Sequence, residues 1–97
     1  MALIDLLGRR WVLRIVFELR EGEILNFREL QQRCGGMSSS VLNQRLADLR
    51  EAGIVESAPG GYRLTHEGRR MNEFFPPMEA WAARRARRVA ARSIGRE

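Results

Sequence analysis

The residues best suited to recognising a ligand lie together in one short stretch: Ser38, Ser39, Ser40, Asn43, Gln44 and Arg45. An Asn or Gln side chain carries a donor and an acceptor side by side and can pair bidentately with adenine in the major groove of DNA. Serine hydroxyls and free backbone amides at a helix start suit a phosphate. Arg45 brings a guanidinium that can take a phosphate, a base edge or a carboxylate. Arg63, further along, is a candidate for a phosphate. For each residue the plain alternative is an ordinary solvated helix face or, for Arg63, an edge-strand charge.

Catalytic chemistry finds no comparable set. His66 is the one histidine and sits at a helix start without an assigned partner. No nucleophile, base and orienting group form a constellation, no paired carboxylates stand out, and no P-loop or dinucleotide fingerprint occurs. The chain is therefore not expected to be an enzyme. Cys34 is the one cysteine, so an intramolecular disulfide is excluded, and no Cys/His cluster predicts a metal site. No cofactor is expected. Cys34 reads as a buried structural thiol rather than a sensor, because free cysteines commonly behave as small hydrophobes.

The elements that must position the amides follow from apolar spacing. Leu42, Leu46 and Leu49 recur at helical intervals with Val41 alongside, which places Ser39, Ser40, Asn43, Gln44, Arg45 and Asp48 on the opposite face. Ser38 is a suitable N-cap, and Gly53 ends this helix. Before it, Asn26 and Glu29 form a capping-box pattern that opens a helix carrying Phe27, Leu30 and Cys34 inward. Gly35 and Gly36 stop that helix. Two short helices joined by a Gly-containing turn, the second polar outside, describe a helix-turn-helix over residues 27–52. Ile24 and Leu25 could form a very short strand. Residues 54–64 then read as a compact β-hairpin, with Val55 and Ser57 on one strand, a turn at Ala58-Pro59-Gly60-Gly61, and Tyr62 and Leu64 on the return.

Upstream, Leu3, Leu6 and Leu7 form a short apolar face, Gly8 breaks it, and Trp11, Ile15 and Leu19 follow in a second helix from about residue 10 to 20. Downstream, Thr65 caps a helix with Met71, Phe74 and Phe75, which Pro76 and Pro77 interrupt or kink. A last helix carries Met78, Trp81 and Val89. The fold class is mainly α with a small β-hairpin, a winged helix-turn-helix, in a single domain over residues 1–97.

Composition bounds the rest. The chain has 97 residues, 44% of them hydrophobic, enough for one folded but marginal domain. The net charge is +5 and all 17 basic residues are arginine, which favours nucleic acid or an anionic membrane as partner. No apolar run reaches the roughly 18 residues of a membrane span, and no secretory signal is evident, so a cytoplasmic location without membrane insertion is expected.

The order and spacing of these fragments resemble the HxlR-type family of bacterial winged helix-turn-helix regulators over about residues 3–83. LLGRRWVLRIVFEL resembles the family's first block, with its glycine-basic-tryptophan group. LNFRELQQRCGGMSSSVLNQRLADLREAGIVE resembles the central block, and YRLTHEGRRM the second wing strand and the entry to the C-terminal helix. The resemblance implies double-stranded DNA as partner and a homodimeric repressor or activator that binds imperfect palindromes, often near detoxification or stress genes. It further implies a dimer interface built from the N-terminal segment and the C-terminal helix, about residues 66–92. Leu3, Leu6, Leu7, Phe74, Met78 and Trp81 are the interface candidates on that basis. For Trp11 and Phe74 the reading favours closure of the monomer's own core. The expected function is a sequence-specific DNA-binding repressor. The alternative is a winged-helix protein-interaction module without sequence-specific DNA binding.

Three departures from the family pattern bear on mechanism. No cysteine precedes the first helical block, so oxidant sensing there is not carried over. Ser39 and Ser40 stand where a proline and a basic residue are usual at the start of the recognition helix. The wing is short, with an uncharged tip. A small-molecule effector is left open, with no identity assigned. Arg84, Arg85, Arg87, Arg88 and Arg92 admit three readings: a DNA-backbone contact, the solvated face of a dimerising helix, or a site for an anionic membrane or partner. Cations suit a helix C-terminus, which favours the second.

Overall fold

The computed structural model describes residues 2–95, with side chains over 4–91. Helices α1 (Ala2–Leu7), α2 (Val12–Glu18), α3 (Phe27–Arg33) and α4 (Ser39–Glu51) precede a hairpin of β1 (Val55–Ala58) and β2 (Gly61–Leu64). Helix α5 (His66–Met71), a 3-10 turn (Asn72–Phe74) and α6 (Phe75–Gly95) complete the chain. The architecture is the winged helix read from the sequence, and its local causes are the expected caps. Asn26 Oδ1 accepts from the Glu29 amide at 2.8 Å while Glu29 Oε1 accepts from the Asn26 amide at 3.1 Å, a complete capping box. Ser38 Oγ accepts from the Val41 amide at 3.3 Å to open α4. Thr65 Oγ1 accepts from the Gly68 amide at 3.0 Å to open α5.

The hairpin is antiparallel, pairing Val55 with Leu64, Glu56 with Arg63, Ser57 with Tyr62 and Ala58 with Gly61. Leu25 extends this small sheet. Its amide donates to the Tyr62 carbonyl at 3.0 Å and its carbonyl accepts from the Tyr62 amide at 2.8 Å. The wing is thereby stitched to the segment that leads into α3. Gly61 makes the stitch possible: a Cβ there would fall 2.1 Å from the Leu25 carbonyl oxygen.

One core serves all these elements. Val12, Ile15 and Val16 of α2 and Leu19 at its C-cap meet Leu30 and Cys34 of the α3 region, Leu42, Leu46 and Leu49 of α4, and Ile54, Val55 and Leu64 of the wing. Phe75 closes one end by setting its ring edge-on to Phe17, centroids 5.6 Å apart.

Four expectations change. The second helix starts at Val12 rather than near residue 10, because Trp11 takes a left-handed conformation with φ 78° in the α1–α2 turn. Pro76 and Pro77 do not interrupt a helix. They occupy the first turn of α6, where amides have no intrahelical acceptor and a fixed φ is an advantage. Phe74 does not close the core. It is 66% exposed, and Phe75, one residue on, is the buried ring. Leu6 is buried within the monomer and Leu7 packs against its core, so neither lies open as a free interface residue. Leu3 is outside the described side chains.

The remaining departure from a compact body is α6. From Pro76 onward every described side chain on it is exposed, including Met78 at 49% and Trp81 at 60%. The helix stands away from the core and stretches the molecule to 54 × 26 × 26 Å.

Candidate nucleic-acid interface

Helix α4 sinks Leu42, Leu46 and Leu49 into the core and leaves Ser38, Ser39, Ser40, Asn43 and Gln44 exposed. The three leucines fix its roll, so the amide positions share the outward face by helical spacing alone. Helix α3 braces its start: Gln31 Nε2 donates to the Met37 carbonyl at 2.8 Å and to Ser39 Oγ at 3.1 Å. The serines therefore divide their tasks. Ser38 caps, Ser39 meets Gln31, and Ser40 keeps only a long 3.5 Å contact with Ser38 Oγ, so its hydroxyl is the most available to a ligand. Asn43 has no hydrogen-bond partner among the described residues. Gln44 lends one amide hydrogen to Asp48 Oδ1 at 3.0 Å, and its carbonyl oxygen has no partner among the described residues.

Arg45 and Asp48 do not belong to that outer face. Arg45 is only 22% exposed and Asp48 10%. Arg45 Nε donates to the Arg10 carbonyl at 3.0 Å, and its Nη1 lies 3.1 Å from Asp48 Oδ2. Arg9 reaches the same carboxylate oxygen at 2.9 Å. Both residues turn along the flank of α4 towards the α1–α2 turn, a direction that helical periodicity alone does not distinguish from the outer face.

Arg63 pairs with Glu56 across the hairpin at 3.4 Å, which offsets its charge. Arg50 leans on the wing instead, donating to Ser57 Oγ at 3.2 Å. Sequence reasoning missed two residues of α3. Gln31 is the brace described above. Arg28 lies three positions earlier on the same face, is exposed, and has no ion pair among the described residues. Their i, i+3 spacing beside the capping box was the available signal.

Two groups have shifted acidities. Burial disfavours the Asp48 carboxylate, yet hydrogen bonds from Gln44, Arg9 and Arg45 outweigh it and hold the group below its ordinary value. A depressed carboxylate pKa contributes stability above the unfolded-state value of about 4, which is lost as pH falls through the folded-state value. The protein and its Asp48→Asn variant should therefore melt apart at neutral pH and converge on acidification, as followed by circular dichroism. A gap that persists undiminished in acid would contradict this. Burial also pushes the Cys34 thiol up, with a further rise from Glu18 that Arg14 opposes. Cys34 is buried in the core, as its reading as a structural thiol requires.

Residues 6–90 match the family described as HxlR-like helix-turn-helix. The chain belongs to that family. The HxlR-like proteins are DNA-binding transcriptional regulators rather than enzymes. The uncharacterized HTH-type transcriptional regulator YvaP of Bacillus subtilis (strain 168) is 31% identical over 86 residues, covering 81% of this chain and 79% of that protein. A possible HxlR family transcriptional factor from Thermoplasma volcanium GSS1 superposes with a TM-score of 0.75 at 28% identity, over 87% of this chain and 81% of its own. The quinone-bound structure of YodB from B. subtilis gives 0.75 at 34% identity, over 82% of this chain and 90% of its own. The match to the HxlR-like family runs from the end of α1 through most of α6, hence over the helix-turn-helix and its wing together. Among the described residues, no helix is long and apolar enough to cross a membrane.

Proposed function

We infer that the chain is a single-domain, sequence-specific transcriptional repressor that acts in the cytoplasm and binds a palindromic operator as a homodimer. The observation that carries DNA reading is the outer face of α4. Ser40, Asn43 and Gln44 stand exposed on a helix whose roll is fixed by three buried leucines and whose start is braced by Gln31. On this reading Asn43 and Gln44 enter the major groove, and Ser40 and Arg28 hold phosphates on either side of it. Arg63 contributes charge beside the groove, reduced by its partner Glu56. Arg45 is removed from the contact set, because its Nε and Nη1 are held by the Arg10 carbonyl and Asp48 on the flank of α4.

Pairing is supported by α6. Helices in proteins owe most of their stability to packing of an apolar face, and α6 exposes Met78 and Trp81, with Phe74 exposed in the 3-10 turn just before it. A second copy is the simplest cover for that face, with Ile4 of α1 as a further exposed apolar residue. A two-fold protein matches a two-fold site, with half-sites about 34–36 Å apart or a multiple of that. Repression needs only occupancy of a site that overlaps a promoter, and is assigned on that ground.

The decisive experiment is selection from random duplexes by the purified protein at two salt concentrations. A palindromic consensus is expected, and enrichment of no sequence would reject the reading in favour of a protein-interaction module. Asn43→Ala or Gln44→Ala should cost about 1–3 kcal/mol of discrimination at one base pair of that consensus. Arg28→Ala should weaken binding to all sequences alike and reduce the salt slope by about 1. If both amide variants keep the full preference, base reading lies elsewhere.

A further inference from the structure

Four polar bonds converge on Asp48 and Arg45 where α4 meets the α1–α2 turn. Asp48 Oδ2 takes Arg9 at 2.9 Å and Arg45 at 3.1 Å, while its Oδ1 takes Gln44 at 3.0 Å. Arg45 then continues to the Arg10 carbonyl at 3.0 Å. Two of these bonds, Arg9 to Asp48 and Arg45 to Arg10, cross from the recognition helix to the turn. The turn also holds the one non-glycine residue of positive φ among the described residues, Trp11 at 78°. Such a backbone persists only where its surroundings over-determine it. A carboxylate is otherwise a poor neighbour for a phosphate backbone, since it repels the ligand.

We propose that Asp48 is a positioning residue for DNA reading: clamped between Arg9 and Arg45, it locks the height and tilt of α4, whose roll the leucines set, against the α1–α2 turn and so sets where Asn43 and Gln44 sit in the groove. The proposal rests on the reading of α4 as the recognition helix. It also predicts a sign that bare electrostatics does not. If Asp48 were only a negative charge near DNA, its neutralisation would tighten binding to every duplex. As a clamp, its loss weakens operator binding while leaving non-specific binding unchanged or tighter.

The test uses the full chain, its Asp48→Asn variant, and Arg9→Gln as a milder variant that leaves the Asp48–Arg45 pair in place. Fluorescence anisotropy compares the selected operator with a scrambled duplex. Amide hydrogen exchange without DNA is followed at Arg10, Trp11 and Val12, with the α2 core amides as reference. Both variants should lose roughly tenfold in the operator-to-scrambled ratio, the scale of one misaligned amide–base pair. Exchange should quicken at the turn and not in the α2 core. An Asp48→Asn protein with an undiminished ratio overturns the proposal, as does unchanged exchange at the turn. If the unaltered protein itself prefers no duplex, it is the reading of α4 as a recognition helix that fails. The two failures are thus told apart.

Discussion

Alanine at Gly61 is expected to destabilise the protein by about 3 kcal/mol or more, combining a backbone clash with an unfavourable φ. Its Cβ would sit 2.1 Å from the Leu25 carbonyl oxygen and 2.8 Å from the Asn26 Cα, both backbone atoms that cannot rotate away. The φ of 154° adds strain for any side chain. The Leu25–Tyr62 pair of hydrogen bonds must open or the wing must shift, and either change loosens the entry to α3. Small domains hold only about 5–15 kcal/mol in all. A fall in melting temperature above about 10 °C is therefore expected by calorimetry. Gly60→Ala is the control. It shares a positive φ of 92° but meets nothing closer than 4.0 Å, so its cost is strain alone. Equal melting temperatures for the two variants would mean that the approach of Leu25 to the wing is not structural.

Glutamate at Trp81, alone or with Phe74→Glu, should leave the fold intact and abolish pairing. Neither side chain contributes to the monomer core, being 60% and 66% exposed, so the variants separate pairing from folding. The doubly substituted protein should sediment as a single chain. Losing one of two linked contacts to a symmetric site should weaken operator binding by roughly 10²–10⁴-fold. Trp81 also supplies the signal. Its emission in the unaltered protein should shift to the blue with rising concentration as it leaves water, while Trp11 stays constant. A Trp81→Glu protein that sediments as a pair would place the interface away from α6.

How far the sequence revealed this arrangement varies with the range of the interaction. Caps involve residues three apart, so Asn26, Ser38 and Thr65 were legible, as were the turns at Gly8, Gly53 and Pro59-Gly60. The apolar period of Leu42, Leu46 and Leu49 fixed which side of α4 faces inward. It did not fix the flanks. Arg45 and Asp48 appeared to face outward because their partners Arg9 and Arg10 are some 35 or more positions away in the chain and belong to no shared period. The same limit explains Phe74 and Phe75. Adjacent aromatic residues cannot be ranked by spacing, and the 3-10 turn before α6 decides which ring meets Phe17. The prolines are ambiguous in the sequence for a different reason. Proline is hostile inside a helix and favourable in its first turn, so its meaning depends on a boundary the pattern left uncertain.

On the proposed pairing, the detachment of α6 from the core would tie gene control to the amount of protein. If each chain's last helix is completed only by another copy, the operator-competent species forms by mass action. Below the pairing constant its concentration rises as the square of the chain concentration. A twofold change in expression would then yield about a fourfold change in competent dimer. Apparent stability should climb with concentration in the same way, most strongly for α6 and least for the core around Ile15 and Leu42. The exposed Phe74, Met78 and Trp81 would thus act as a threshold on dose, set before any effector or DNA sequence is considered.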